Sequence, residues 1–269
     1  MLELVARDGL VLLGCGKMGS ALLTGWLAAG VPPSSVWVIE PNPTDWLKSS
    51  GVHLNEGVPP APAVALLAVK PQMMGAALPA LVALGNGTTL FVSIAAGTTI
   101  GAFEATLGAQ TPIVRTMPNT PAMVNRGITA LCRNAHVTDA GMNLAVALMA
   151  AVGETVILDG EHQIDAVTGV SGSGPAYVFH LIEAMAAAGE AEGLSPDVAM
   201  RLARATVCGA GELAYQASDS AAQLRINVTS PGGTTAAALA VLMDGETGFP
   251  ALLRKAVKAA ADRGRELGK

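Results

Sequence analysis

An α/β half built on a parallel-rich, doubly wound sheet, followed by an all-α half, is the fold class this chain predicts. Three observations predict it. Short apolar runs recur up to about residue 160, separated by stretches able to form helices. A glycine-rich turn, Gly14-Cys15-Gly16-Lys17-Met18-Gly19, joins the first run to the first helix-like stretch. Beyond about residue 160 the runs stop, and long segments rich in Ala, Leu and Met take over. Strands that alternate with helices call for a parallel sheet, because two parallel strands need a crossover between them. The boundary is placed near residue 162, giving domains 1–162 and 163–269.

Taken in order, Leu10–Leu13 is a short apolar run, predicted as a buried strand. Ser20–Ala29 follows as a helix, ended by Gly30 and the Pro32-Pro33 pair. Ser35–Ile39 is the second strand. Ala63–Val69 is the third, closed by Lys70-Pro71, and Leu90–Ile94 the fourth, closed by Ala95-Ala96-Gly97. Ile113–Met117 is the fifth, closed by Pro118, and Thr155–Leu158 a sixth candidate. In the second half, Tyr177–Glu192, Ser195–Ala217, Thr234–Met243 and Phe249–Leu267 are predicted helices. Pro175 and Pro196 suit the first turns of two of them.

The bulk composition excludes several classes of function. With Lys+Arg 16 against Asp+Glu 21 and a net charge of -5, no basic excess exists to hold a polyphosphate, so nucleic acid is not an expected partner. Hydrophobic residues make up 51% of the chain, yet no apolar run approaches the ~18 to 20 residues of a spanning helix. No membrane association and no signal peptide are expected, given the early Glu3 and Asp8. Cys15, Cys132 and Cys208 are odd in number and lack metal spacing. A reduced, cytoplasmic protein without a metal is the simplest account. No His pattern suggests catalysis: His53, His136, His162 and His180 read as surface or core residues.

The turn Gly14–Gly19 is GxGxxG placed between a predicted strand and a predicted helix, the context in which it binds a dinucleotide. Gly14 permits the tight turn, Gly16 lets backbone approach a pyrophosphate, and Gly19 lets helix pack on strand. Amides from Lys17, Met18 and Gly19, at the helix N-terminus, then face phosphate oxygens. The alternative is an ordinary glycine-rich turn. Glu40 ends the second strand, about where an acid binds a ribose 2′-hydroxyl, although a solvated loop carboxylate would look the same. The loop from Glu40 to Lys48 holds no Arg to grip a 2′-phosphate, which leans toward NADH over NADPH. The first half is therefore predicted to be a Rossmann-like domain.

Later segments have physical readings of their own. Pro71 is expected to stop its strand and force a loop over the ligand edge, with Lys70 either at the cofactor or in solvent. Ala95-Ala96-Gly97 leaves room for a flat ring against backbone, or simply packs well. Asn119 and Thr120 lie in a stiff Pro-bounded loop, where Asn119 points into the cleft or bonds neighbouring backbone. Ser230-Pro231-Gly232-Gly233-Thr234-Thr235 precedes a predicted helix, so its amides and the helix dipole build a site for one carboxylate, or a plain helix cap.

Five segments, in order, resemble pyrroline-5-carboxylate reductases: Ala68-Val69-Lys70-Pro71-Gln72, Ser93-Ile94-Ala95-Ala96-Gly97, Arg115-Thr116-Met117-Pro118-Asn119-Thr120-Pro121, Thr168 to Tyr177, and Asn227 to Thr235. The resemblance covers the chain except for about the first eight residues, which look like an extension. It implies that Ala68, Val69, Lys70, Pro71, Ala95, Ala96, Gly97 and Asn119 line the site of NADPH or NADH. It implies 1-pyrroline-5-carboxylate as substrate, its carboxylate held by Ser230, Gly232, Gly233 and Thr234, with Asn227 also binding the substrate. Thr235 would hydrogen-bond the ring nitrogen while the imine carbon takes a hydride to give proline. It further implies a homodimer, or a larger homo-oligomer of dimers, through the helical half. The stretch from Gly51 to Pro62, rich in prolines, departs from the helix usual in that family. Rival readings are another imine reductase, a 3-hydroxyacid dehydrogenase-like enzyme, or a non-catalytic NAD(P)H sensor. The dehydrogenase would need a lysine on a helix of the second half, and the region Gly174–Ala217 has none.

Overall fold

The computed structural model describes residues 2–268. They divide into two compact units, residues 2–172 together with 260–268, and Ser173–Ala259. The division falls C-terminal to the predicted boundary, and the end of the chain returns to the first unit. The first unit is an α/β structure and the second is entirely helical, so the predicted fold class is the observed one.

The α/β unit holds one eight-stranded sheet in the order β3-β2-β1-β4-β5-β6-β7-β8. The strands are β1 (Leu10–Leu13), β2 (Val36–Ile39), β3 (His53–Leu54), β4 (Val64–Leu67), β5 (Leu90–Ser93), β6 (Ile113–Met117), β7 (Gly127–Arg133) and β8 (Gly153–Ile157). Neighbours are parallel except for β6 and β7, so β7 and β8 run against the rest. The chain order reverses between β1 and β4, the switch point at which doubly wound sheets bind ligands.

Central strands β1, β4, β5 and β6 are buried along their whole length, as strands covered on both faces must be. Alternation divides them between two cores. Leu10, Leu12, Val64 and Leu66 join one face with Trp26, while Val11, Leu13, Ala65 and Leu67 join the other with Phe91 and Phe103. Trp26 lies in α2 (Lys17–Ala28), and its indole Nε1 donates to the carbonyl of Leu148, at 2.8 Å. Leu148 lies in α6 (Asp139–Ala150), so this bond ties the two helices covering that face. Burial of each such side chain contributes about 1.5–3 kcal/mol.

Several elements differ from the sequence reading. The apparent extension forms helix α1 (Leu2–Asp8), whose Val5 is fully buried in the first core. Pro71 does not open a loop. It is the first residue of α4 (Pro71–Ala77), with Lys70 as N-cap, because a first-turn proline gives up an amide that has no helical partner. Strands β3 and β7 were not foreseen.

Between these elements lie α3 (Asp45–Lys48), α5 (Ile100–Leu107) and α7 (Ile164–Val167). A π-helical turn at Thr168–Gly172 ends the first unit's main segment. In the helical unit, α8 (Gly174–Ala191) and α9 (Pro196–Gln216) form a hairpin around Ala186, Ala199 and Ala203. Helices α10 (Ala221–Asn227), α11 (Thr234–Leu242) and α12 (Phe249–Leu267) follow. Phe179, Leu202, Leu213, Val228 and Val241 remain exposed on this unit.

Candidate active site

Because β1, β4, β5 and β6 are parallel, the segments that leave their C-terminal ends gather on one edge of the sheet. These segments are Gly14–Gly19, Ala68–Pro71, Ala95–Gly97 and the loop of Asn119, the residues singled out for a cofactor.

The glycine turn fits a dinucleotide. Gly14 has φ +89°, and a Cβ there would lie 2.8 Å from Val69 Cγ1. A Cβ on Gly19 would lie 2.7 Å from the carbonyl oxygen of Gly14, so only glycine lets α2 start this close to β1. A Cβ on Gly16 would meet nothing within 4 Å, which leaves the N-terminus of α2 open above Gly16. The amides of Lys17, Met18 and Gly19 belong to a first helical turn, where no carbonyl precedes them. An open helix start with these amides is a cradle for a pyrophosphate. Gly19→Val is expected to cost about 2 kcal/mol, because the obstacle is backbone and cannot swing away. A urea midpoint lower by that amount at unchanged slope checks it.

Glu40 sits just past β2, and its carboxylate is spoken for by backbone. Oε2 accepts from the amide of Cys15, at 2.8 Å, and Oε1 accepts from the amide of Asn42, at 2.9 Å. Asn55, in the left-handed region at φ 57°, brackets the Glu40 backbone: its Oδ1 accepts from Glu40 N and its Nδ2 donates to Glu40 O, each at 2.9 Å. Sequence reasoning missed Asn55; the signal was an Asn two residues before a glycine in a polar loop. Burial, and then the negative charge of Glu40, push the Cys15 thiol up to about 11, so it stays protonated at neutral pH. His53 stacks on Trp37 at 4.6 Å between ring centres and contacts Glu56 and the Ser34 carbonyl, a structural role.

Ala95 is buried, and Gly97 has φ +74° with the Cβ of Leu267 3.1 Å from where its own would lie. The last turn of α12 thus rests on this loop. Asn119 is nearly buried, and its Oδ1 accepts from the amide of Ile128 in β7, at 2.9 Å. That oxygen anchors the loop to the neighbouring strand.

Sequence reasoning passed over Arg115 and Glu161. Arg115 lies mid-strand in β6, buried, with Nη1 2.6 Å from Glu161 Oε1. The same oxygen accepts from the amide of Ile100 at the start of α5, at 2.7 Å. A lone arginine inside the apolar run Ile113–Met117 was the available signal.

In the helical unit, Gly233 N donates to the Ser230 carbonyl at 3.0 Å and closes the turn before α11. Gly232 has φ +69°, and Gly233 is the N-cap of the helix. The amides of Thr234 and Thr235 thus open a nine-residue helix, with no side-chain cap at its start. Asn227 closes α10, its Oδ1 accepting from Gln223 Nε2 at 2.7 Å and its Nδ2 donating to Asp219 Oδ2 at 3.4 Å. These bonds tie Asn227 to its own helix and to the residue before that helix's N-cap, not to the Ser230–Thr235 turn.

A dinucleotide cradle at the switch point of a doubly wound sheet, followed in the chain by a helical unit, defines the class of dinucleotide-dependent oxidoreductases. Comparison with known proteins narrows the class. A family model described as pyrroline-5-carboxylate reductase dimerisation matches residues 161–267, and one described as NADP oxidoreductase, coenzyme F420-dependent, matches residues 10–97. The pyrroline-5-carboxylate reductase of Pseudomonas aeruginosa is 42% identical over 261 residues, 95% of each chain. That of Escherichia coli is 36% identical over 267 residues, 96% of this chain and 97% of its own. Among solved structures, a pyrroline-5-carboxylate reductase from Coxiella burnetii superposes with TM-score 0.89 at 36% identity, covering 97% of this chain and 99% of the other. The Plasmodium falciparum pyrroline carboxylate reductase, solved with NADP bound, superposes with TM-score 0.83 at 28% identity, covering 98% and 99%. The chain belongs to the pyrroline-5-carboxylate reductase family.

Proposed function

We propose that this protein reduces 1-pyrroline-5-carboxylate to proline with NADPH or NADH. The observation that carries the reading is the Ser230–Thr235 turn opening α11, within a chain whose sheet edge fits a dinucleotide. When bound, the cofactor supplies the hydride for the imine carbon. The residues of the chain bind and orient. Gly14, Gly16, Lys17, Met18 and Gly19 cradle the pyrophosphate, and Glu40 takes the adenosine ribose. Ala68, Val69, Lys70, Pro71, Ala95, Ala96, Gly97 and Asn119 line the nicotinamide side. Ser230 and the amides of Gly232, Gly233 and Thr234 hold the substrate carboxylate, and Asn227 also binds the substrate. The Thr235 hydroxyl hydrogen-bonds the ring nitrogen. A protonated imine is already an electrophile, so positioning carries the protein's share of the work.

We place the enzyme in the cytoplasm as a homodimer or a larger homo-oligomer of dimers. No helix among the described residues is long and apolar enough to cross a membrane. All three cysteines are free. The helical unit buries little beyond three alanines while exposing large apolar side chains, which supports pairing with a second copy. The function is tested by adding pyrroline-5-carboxylate to protein with NADPH or NADH. Oxidation of the nucleotide with formation of proline is expected, and no turnover with either nucleotide overturns the reading.

A further inference from the structure

The acid at the end of β2 is more than present: it is fixed. Both carboxylate oxygens of Glu40 accept backbone amides, one of them from the glycine turn itself. Asn55 clamps the Glu40 amide and carbonyl, so swinging the carboxylate aside to admit an anion would cost its two amide bonds. The segment from Glu40 to Glu56 offers little free positive charge. Between Glu40 and Glu56 the cations are Lys48 and, when protonated, His53, set against Glu40, Asp45 and Glu56. Lys48 Nζ is paired with Asp45 Oδ1 at 2.9 Å, and His53 is held by Glu56 and the Ser34 carbonyl. Lys17, in the turn, lies at the first position of α2 among the amides assigned to the pyrophosphate.

We propose that Glu40 sets the choice of cofactor, accepting the adenosine ribose hydroxyls and repelling a 2′-phosphate, so that this enzyme binds NADH in preference to NADPH. A carboxylate accepts hydroxyl protons strongly, but a phosphate ester at the same place brings like charge against a group held by two amides. The proposal rests on the reading that the adenosine ribose lies at the end of β2. It would set this chain apart from the Plasmodium falciparum relative, whose solved structure holds NADP.

The test is direct binding, measured by calorimetry with NADH and with NADPH and without substrate. Wild type is expected to bind NADH roughly 10- to 100-fold more tightly, the range a charge-assisted hydrogen bond provides. Glu40→Ser removes the charge and is expected to cut that ratio by at least roughly ten-fold, chiefly by tightening NADPH. Glu40→Gln keeps the shape of the side chain and one of its two amide contacts, turning a donor toward the other; it should move the ratio the same way with a slightly lowered melting temperature, and its cooperative melt guards against a folding artefact. Raising salt should narrow the wild-type difference, since a repulsion is screened. Equal wild-type affinities, or a ratio unmoved in both variants, overturn the proposal while leaving the dinucleotide site standing. If neither nucleotide binds, the site assignment falls with it.

Discussion

Glu161→Ala is expected to destabilise the α/β unit by about 3 kcal/mol, the lower end of the range for breaking a buried ion pair. The lower end applies because the Glu161 side chain is 31% exposed while that of Arg115 is 5% exposed. Arg115 is paired in register with Ser93 on β5 and Cys132 on β7, so its strand is flanked by sheet on both sides. Its Nε is already buried without a hydrogen-bond partner. Removing Glu161 deprives the same group of its counter-charge, and a guanidinium cannot escape by losing its proton. The loss also releases the first amide of α5, which follows the Ala95–Gly97 loop. A fall in the urea midpoint at constant slope measures the cost. The double variant Arg115→Met with Glu161→Ala should recover much of it, since no buried charge then remains. A cost below about 1 kcal/mol, as for an exposed pair, would show that Arg115 is solvated by other means. Burial, then Glu161, push the Cys132 thiol up to about 11 while Arg115 pulls it down. In the single variant the upward push of the carboxylate is gone, and the thiol pKa should fall.

That pair shows where sequence reading stopped. Strands β1, β4, β5 and β6 were legible because strands covered on both faces are continuous apolar runs. Strand β7 was not: it is buried from Thr129 to Cys132, but its composition of Gly, Thr, Ala and Cys resembles a loop. Strand β3 is only two residues long. Pro71 misled because proline ends one element and begins another with equal ease. In the site, the glycine turn was readable since each glycine answers a distinct steric demand. The Arg115–Glu161 pair was not, because two residues so distant in the chain meet only once β6 and the turn of Glu161 after β8 are both in place.

Thr235→Ala is expected to lower kcat roughly 100-fold, the size of a lost proton-positioning contact in a transition state, with cofactor affinity unchanged within about two-fold. The reason lies in how the turn is built. Gly232, at φ +69°, and Gly233, as N-cap, offer only backbone, which can hold a carboxylate but has no hydroxyl to give. Thr235, the second residue of α11, is the position assigned to the ring nitrogen, and alanine there has nothing to replace the hydroxyl. Alanine also forms helix better than threonine, so the variant should melt no lower than wild type and the lost activity cannot be charged to unfolding. Thr235→Ser keeps the hydroxyl without the methyl and should recover most of the rate. If kcat stays at the wild-type level in the alanine variant, the hydroxyl does not touch the reacting ring. The turn would then serve only to hold the carboxylate, and the loss on altering Ser230 or Gly232 should appear in KM instead.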